Sequence, residues 1–204
     1  MGGIRSKIDS QQVLIVGLQS SGKSLFLKKI LELKKKETED ISLDSTVGYN
    51  YTTINYSDAT FDIWDLGGDP ICCSYWPTFY HNLKFTLVVF FINLNDVDSH
   101  CVALKELIVI INQEELKQAR FFIVFNVISD EMKKMGNNEL GSIKENKELA
   151  ESLMADLREC PIHDYEARVL WDIIDVSKIK DGENKTTELL AKCLFGSIDK
   201  KDSN

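Results

Sequence analysis

Short apolar or alternating runs at residues 13–16, 49–55, 60–65, 85–92, 121–125 and 168–174 predict six strands. Longer stretches with helical spacing of apolar residues at 24–36, 102–111, 144–157 and 186–195 predict helices between or after them. The run TLVVFFI at 86–92 has no polar alternation, as expected of a strand buried on both faces. Strands of that kind alternating with helices predict an α/β fold, a six-stranded mostly parallel sheet with helices on both faces. The second and third strands differ. YNYTTINY alternates polar and apolar residues, and the polar turn Tyr56-Ser57-Asp58-Ala59 joins it to the next strand, which predicts one antiparallel strand at the sheet edge. The polar stretch 129–142 reads as a long surface loop and 199–204 as a frayed tail. No internal repeat or linker divides the chain.

Composition narrows this further. A chain of 204 residues with 44% hydrophobic content suits one compact domain, predicted over 13–196, with an N-terminal membrane-anchor segment at 1–12 and a flexible tail at 197–204. No apolar run reaches the length of a membrane span, and no secretory signal is expected at the N-terminus. A formal charge of −8 argues against a nucleic-acid partner, which would need a basic stripe. Five cysteines, of which Cys72 and Cys73 are adjacent and the others scattered, lack metal-ligand spacing and suggest free thiols in a reducing compartment. His81, His100 and His163 also lie apart and read as solvated or core side chains.

The chemistry concentrates in Gly17-Leu18-Gln19-Ser20-Ser21-Gly22-Lys23-Ser24, which follows the first strand and fits G-x-x-x-x-G-K-[ST] at every constrained position. Gly17 and Gly22 permit backbone angles that curl N–H groups around a phosphate. Lys23 reaches the outer phosphates, and the Ser24 hydroxyl is placed to ligate magnesium. The helix that follows adds its positive N-terminal end. This predicts a phosphate-binding-loop NTPase fold that takes a nucleotide. Asp65 ends the third strand, where a carboxylate suits an outer-sphere magnesium contact, and Gly67-Gly68 let a backbone N–H approach a terminal phosphate. The Thr46 hydroxyl could complete the magnesium shell when a third phosphate draws its loop in.

From Thr46-Val47-Gly48-Tyr49-Asn50 through Trp64-Asp65-Leu66-Gly67-Gly68, and on to Trp76 and Phe79-Tyr80, the chain resembles the Arf and Arf-like small GTPases. Asn93-Leu94-Asn95-Asp96 sits where that family carries D-S-x-D. The resemblance runs from about residue 13 to 125 and more faintly to 195. It implies GTP and GDP as ligands with Mg2+, Lys23 and Ser24 on phosphate and metal, Thr46 closing the first switch, and Gly68 donating to the γ-phosphate. It implies Tyr49, Trp64 and Phe79 as an aromatic effector triad, for which ordinary core packing is the alternative. Effector proteins, an exchange factor and a GTPase-activating protein are the partners implied.

Two elements depart from the family. Asp69 stands where Gln usually orients the attacking water. A carboxylate about 5 Å from a phosphate oxygen meets a repulsion of about 3 kcal/mol at an effective dielectric near 20. Slow hydrolysis is therefore expected, with Asp69 either a weak catalytic group or simply the cap of the following helix. The base-reading N-K-x-D is replaced by Asn126-Val127-Ile128-Ser129-Asp130, so Asn126 is in place and Ser129 or Asp130 must accept from the base. Ser177 and Lys178 match the second base-contacting loop poorly.

Met1-Gly2-Gly3-Ile4-Arg5-Ser6 fits the acylation pattern M-G-x-x-x-[ST]. Together with the resemblance it predicts myristoylation of Gly2, peripheral membrane contact through the N-terminus, and a cytoplasmic, reversibly membrane-associated protein. One acyl chain binds only marginally, so a second signal is needed. No prenylation box ends the sequence. Three readings follow: an Arf-like switch with slow GTP hydrolysis acting in trafficking, a pseudo-GTPase scaffold that scarcely cycles, and, last, a P-loop kinase, for which the few arginines form no lid.

Overall fold

The computed structural model describes residues 10–33, 46–56, 59–127 and 143–179. Among them six strands form one sheet in the order β2-β3-β1-β4-β5-β6. The strands are β1 (Gln11–Gly17), β2 (Tyr49–Tyr56), β3 (Ala59–Leu66), β4 (Leu87–Asn93), β5 (Arg120–Asn126) and β6 (Val169–Ile174). Every pairing is parallel except β2 with β3, which runs antiparallel from Tyr49↔Leu66 to Tyr56↔Ala59. The predicted edge hairpin is present at the predicted residues. Helices are α1 (Lys23–Leu33), α2 (Pro70–Asn82), α3 (His100–Ile111), α4 (Ile143–Arg158) and the single turn α5 (Tyr165–Arg168). The predicted helix at 186–195, the loop at 129–142 and the tail lie outside the described residues.

Two apolar layers sandwich the sheet, as parallel strands require. On one face α1 sets Phe26, Leu27, Ile30 and Leu31 against Val13, Ile15, Phe61, Ile63, Val89 and Phe91. The Phe26 and Phe91 rings meet at 5.1 Å between centroids. On the other face Leu14, Val16, Phe90, Ile92, Ile123 and Phe125 meet α2, α3 and α4 through Trp76, Tyr80, Leu107, Ile110, Met154 and Leu157. Each such side chain contributes about 1.5–3 kcal/mol on full burial. The result holds the C-terminal ends of β1, β3, β4, β5 and β6 along one rim.

The sequence signals helix α2 only through Asp69 as the cap of a following helix. Its sequence, PICCSYWPTFYHN, carries Pro77 within it and few strong helix formers. Tertiary contact compensates: Trp76 and Tyr80 are buried, and the Trp76 indole donates to the Gly67 carbonyl at 2.9 Å. A second buried device anchors the opposite end of the sheet. Arg168, 8% exposed, donates to the carbonyls of Ala119 (3.1 Å), Leu116 (2.8 Å), Ile111 (3.4 Å) and His163 (3.2 Å).

Candidate functional site at the phosphate loop

β1 delivers its chain end into the loop at Gly17, and α1 begins at Lys23, so the loop spans the gap between a strand terminus and a helix N-terminus. The first N–H groups of a helix have no intrahelical partner, which makes this end an anion-binding surface. Gly22 has φ +96°, and a Cβ there would lie 2.1 Å from Asn126 Nδ2. Only glycine fits such a turn. Ser20 is also left-handed, at φ 57°, a local strain of the kind retained at ligand sites.

Lys23 is 6% exposed, and its ammonium donates to the carbonyls of Gly17 at 2.8 Å and Leu18 at 2.9 Å. Ser21 Oγ accepts a longer bond from it at 3.4 Å. Burial pulls the Lys23 ammonium down to about 8, against the attraction of Asp65. A charge held in so dry a place seeks a compensating anion.

Three hard oxygen groups converge beside it. The Ser24 hydroxyl donates to Asp65 Oδ2 at 2.7 Å and lies 3.0 Å from Thr46 Oγ1. Asn50 Nδ2 touches both, Thr46 Oγ1 and Asp65 Oδ2, each at 3.3 Å. Asp65 is fully buried, and its Oδ1 has no hydrogen-bond partner among the described residues. Burial pushes the Asp65 carboxyl up, against the Ser24 bond and the Lys23 charge. An orphaned buried carboxylate oxygen beside two hydroxyls fits a hard divalent cation. These residues could hold Mg2+.

Gly68 lies directly on the phosphate loop. A Cβ there would fall 2.3 Å from the Gly17 carbonyl oxygen and 2.6 Å from Lys23 Nζ, so nothing larger than glycine can approach. Its carbonyl accepts the Gln19 N–H at 2.7 Å. Asp69, the next residue, is turned into a cap. Its Oδ1 accepts the N–H of Ile71 at 2.9 Å and of Cys72 at 3.1 Å. The hydrogen bonds with Cys72, outweighing slight desolvation, hold the Asp69 carboxyl below its ordinary value.

At the base-reading end, Asn126 is a tie. Its Nδ2 donates to the Ser21 carbonyl at 2.9 Å, and its Oδ1 accepts the Val176 N–H at 3.2 Å. Both ends of the carboxamide are thus engaged with protein. Ser177 and Lys178 turn onto Asp175: the Ser177 hydroxyl donates to its Oδ1 at 2.6 Å and Lys178 Nζ lies 2.9 Å from its Oδ2. Ser129, Asp130 and Gly2 lie outside the described residues.

Tyr49, Trp64 and Phe79 come together from β2, β3 and α2, with ring centroids 5.2–5.9 Å apart. Tyr49 is 52% exposed, while Trp64 and Phe79 are half-buried against the core, so the cluster is a partly exposed edge of that core. Trp64 is steadied from behind, its indole N–H donating to Gln12 Oε1 at 2.9 Å, while Gln12 Nε2 donates to Asp62 at 2.9 Å. Asn50, Gln12 and Asp62 are contributors that sequence reasoning did not assign. Asn50 stood within the quoted switch-like stretch, and a polar residue opposite Asp65 in the hairpin register was the available signal. The thiols of Cys72 and Cys73 are free. The hydrogen bond with Asp69 raises Cys72, and burial raises Cys73 to about 11, so both are protonated near neutral pH.

Comparison with known proteins agrees with this layout. A sequence model of the ADP-ribosylation factor family matches residues 2–183. Over 115 residues the chain is 31% identical to ADP-ribosylation factor 1 of Brassica rapa subsp. pekinensis, and 30% identical to ADP-ribosylation factor-like protein 1 of Saccharomyces cerevisiae. Those matches cover 56% of this chain and 59% of each relative, so the chain spans little more than half the length of the curated relatives it matches. In fold it is similar to the Arl6 BBS3 small GTPase of Trypanosoma brucei, solved with the nucleotide analogue GppNp. That likeness has a TM-score of 0.64 at 21% identity and covers 90% of this chain and 96% of the other. The six-stranded sheet, the loop at Gly17–Ser24 and the family match together make the chain a member of the ADP-ribosylation factor family.

Proposed function

We propose that the chain is a guanine-nucleotide switch of the Arf-like type, loading GTP with Mg2+ and hydrolysing it slowly. The single observation that carries this is the meeting of Ser24, Thr46 and the half-orphaned Asp65 carboxylate next to the buried Lys23 ammonium. In this reading the loop amides and Lys23 hold the phosphates. Ser24 and Thr46 would hold Mg2+, with Asp65 supporting it, and the bound ion would neutralise charge on the outer phosphates. Thr46 follows the metal and Gly68 the γ-phosphate, so loss of that phosphate frees both loops.

The partly exposed cluster of Tyr49, Trp64 and Phe79 is the surface offered to effector proteins, because its members on β2, β3 and α2 flank Thr46 and Gly68. Myristate on Gly2 would bring the switch to a membrane. The engagement of Asp69 in the α2 cap supports slow hydrolysis, with an activating protein adding the missing group. The same engagement favours a second reading, a nucleotide-binding scaffold that scarcely cycles.

The deciding experiment is calorimetric titration of nucleotide-free protein with GTP, GDP and ATP analogues in Mg2+, beside Lys23→Ala. Guanine-selective uptake that falls at least tenfold in Lys23→Ala is expected. Undiminished uptake in that variant, or none by the unaltered chain, would overturn the proposal. Intact-mass measurement on protein from eukaryotic cells tests Gly2, an unmodified N-terminus excluding the anchor.

A further inference from the structure

Deepening the switch reading, on which it rests, we propose that Gln19 is a catalytic residue: its carboxamide orients the water that attacks the terminal phosphate.

Position comes first. The Gln19 N–H donates to the Gly68 carbonyl at 2.7 Å, which fixes the Gln19 backbone beside the second switch. Gly68 in turn crowds Lys23 Nζ, to within 2.6 Å of a Cβ built on it. A terminal phosphate held between Lys23 and the Gly68 N–H would lie within a side chain's length of Gln19. The side chain is exposed, and its carboxamide makes no hydrogen bond among the described residues.

Chemistry comes second. Orienting the nucleophile calls for a group that accepts from water and donates to a phosphate oxygen, without carrying charge of its own. A carboxamide does both. Asp69, ionised, cannot donate to a phosphate oxygen, and its Oδ1 is already committed to the Ile71 and Cys72 N–H groups. The neighbouring carboxamides are also occupied: Asn50 by Thr46 and Asp65, Asn93 by the Ser20 carbonyl and the Asn95 N–H, and Asn126 by Ser21 and Val176. The function usually placed after Gly68 is thereby carried by the loop residue hydrogen-bonded to Gly68.

The step balances without a co-reactant. A lone pair of the water oxygen forms a bond to the γ-phosphorus. The bond from that phosphorus to the bridging oxygen breaks, its pair remaining on the β-phosphate of GDP. One proton of the water stays as the hydroxyl of inorganic phosphate and the other leaves to solvent. Gln19 is unchanged.

The test uses the full chain with Mg2+, comparing it with Gln19→Ala and Gln19→Glu. Single-turnover hydrolysis of GTP, affinity for GppNHp, and affinity for GDP with aluminium fluoride are measured for each. Both variants should hydrolyse at least about tenfold more slowly and lose a similar factor in aluminium fluoride affinity, with GppNHp affinity within about twofold of the unaltered chain. A Gln19→Ala rate equal to or above that of the unaltered chain would overturn the assignment, the latter marking Gln19 as an obstruction. Uptake of GTP with no measurable hydrolysis by the unaltered chain would overturn it too. The Gln19→Ala result would leave the switch reading standing, uptake without hydrolysis would favour the scaffold reading instead, and failure to bind any guanine nucleotide would remove both.

Discussion

The Ser24 hydroxyl donates to Asp65 Oδ2 at 2.7 Å, joining the first turn of α1 to the end of β3. The other oxygen of the same carboxylate is buried and unpartnered among the described residues. A buried charge satisfied on one side only costs stability in the empty protein and recovers it when a cation arrives. Asp65→Asn should therefore leave the melting temperature of nucleotide-free protein unchanged or raised. Release of a fluorescent GTP analogue in Mg2+ should become at least about tenfold faster. A marked fall in melting temperature, with release unchanged, would show that the carboxylate is architectural.

Asp69 governs α2 rather than the chemistry if the cap geometry persists with nucleotide bound. Asp69→Ala removes the acceptor of the Ile71 and Cys72 N–H groups, and those two amides should exchange with deuterium faster. Asp69→Asn, a good cap, should restore their protection. Hydrolysis in both variants should stay within about threefold of the unaltered chain. A tenfold loss with intact binding would return the carboxylate to the reaction.

Asp62 gives a pH signature. Burial pushes its carboxyl up, but bonds from Ser10, Thr53, Tyr51 and Gln12 outweigh this and leave it below its ordinary value. A carboxyl lowered in the folded state adds stability that is fully present above the unfolded value, near pH 4, and is lost as pH falls through the folded value. Asp62→Asn should cost about 1–2 kcal/mol at pH 7, or roughly 2–8 °C in melting temperature. The gap should narrow as pH falls below the unfolded carboxyl value and through the lowered folded one. A gap constant from pH 7 to pH 3 would contradict this.

Arg168 supplies donors to four carbonyls that no other side chain reaches in the described structure. Its guanidinium also lies 5.4 Å from the Phe121 ring centroid. Arg168→Ala should cost about 2–4 kcal/mol in chemical denaturation, and Arg168→Lys should recover only part, since an ammonium cannot span the fork. Nucleotide affinity of the folded variants should be unchanged, because the site lies at the far end of the sheet.

Strand content was legible because β4 and β5 are unbroken apolar runs and β2 alternates, patterns that leave no other period to choose. The phosphate loop was legible for a different reason: its glycines, lysine and serine are contiguous, so one local string carries the geometry. Helix α2 was obscured by Pro77 and by aromatic and cysteine residues of poor helix propensity, and it forms because Asp69 caps it and Trp76 and Tyr80 are buried. The double engagement of Asn126 was invisible, since its partners Ser21 and Val176 lie 105 and 50 residues away. Likewise, nothing local distinguishes Gln12 as the support of Trp64, 52 residues on.

The Asn126 carboxamide also has a consequence for how the molecule comes into being. Ser21 waits for a latch made more than a hundred residues later, and that latch needs Val176 to complete it. A nascent chain halted before β5 would carry the whole consensus octapeptide yet lack the group that holds its curve. On the proposed reading, competence to grip polyphosphate is expected only late in synthesis, once Asn126 and Val176 have both emerged.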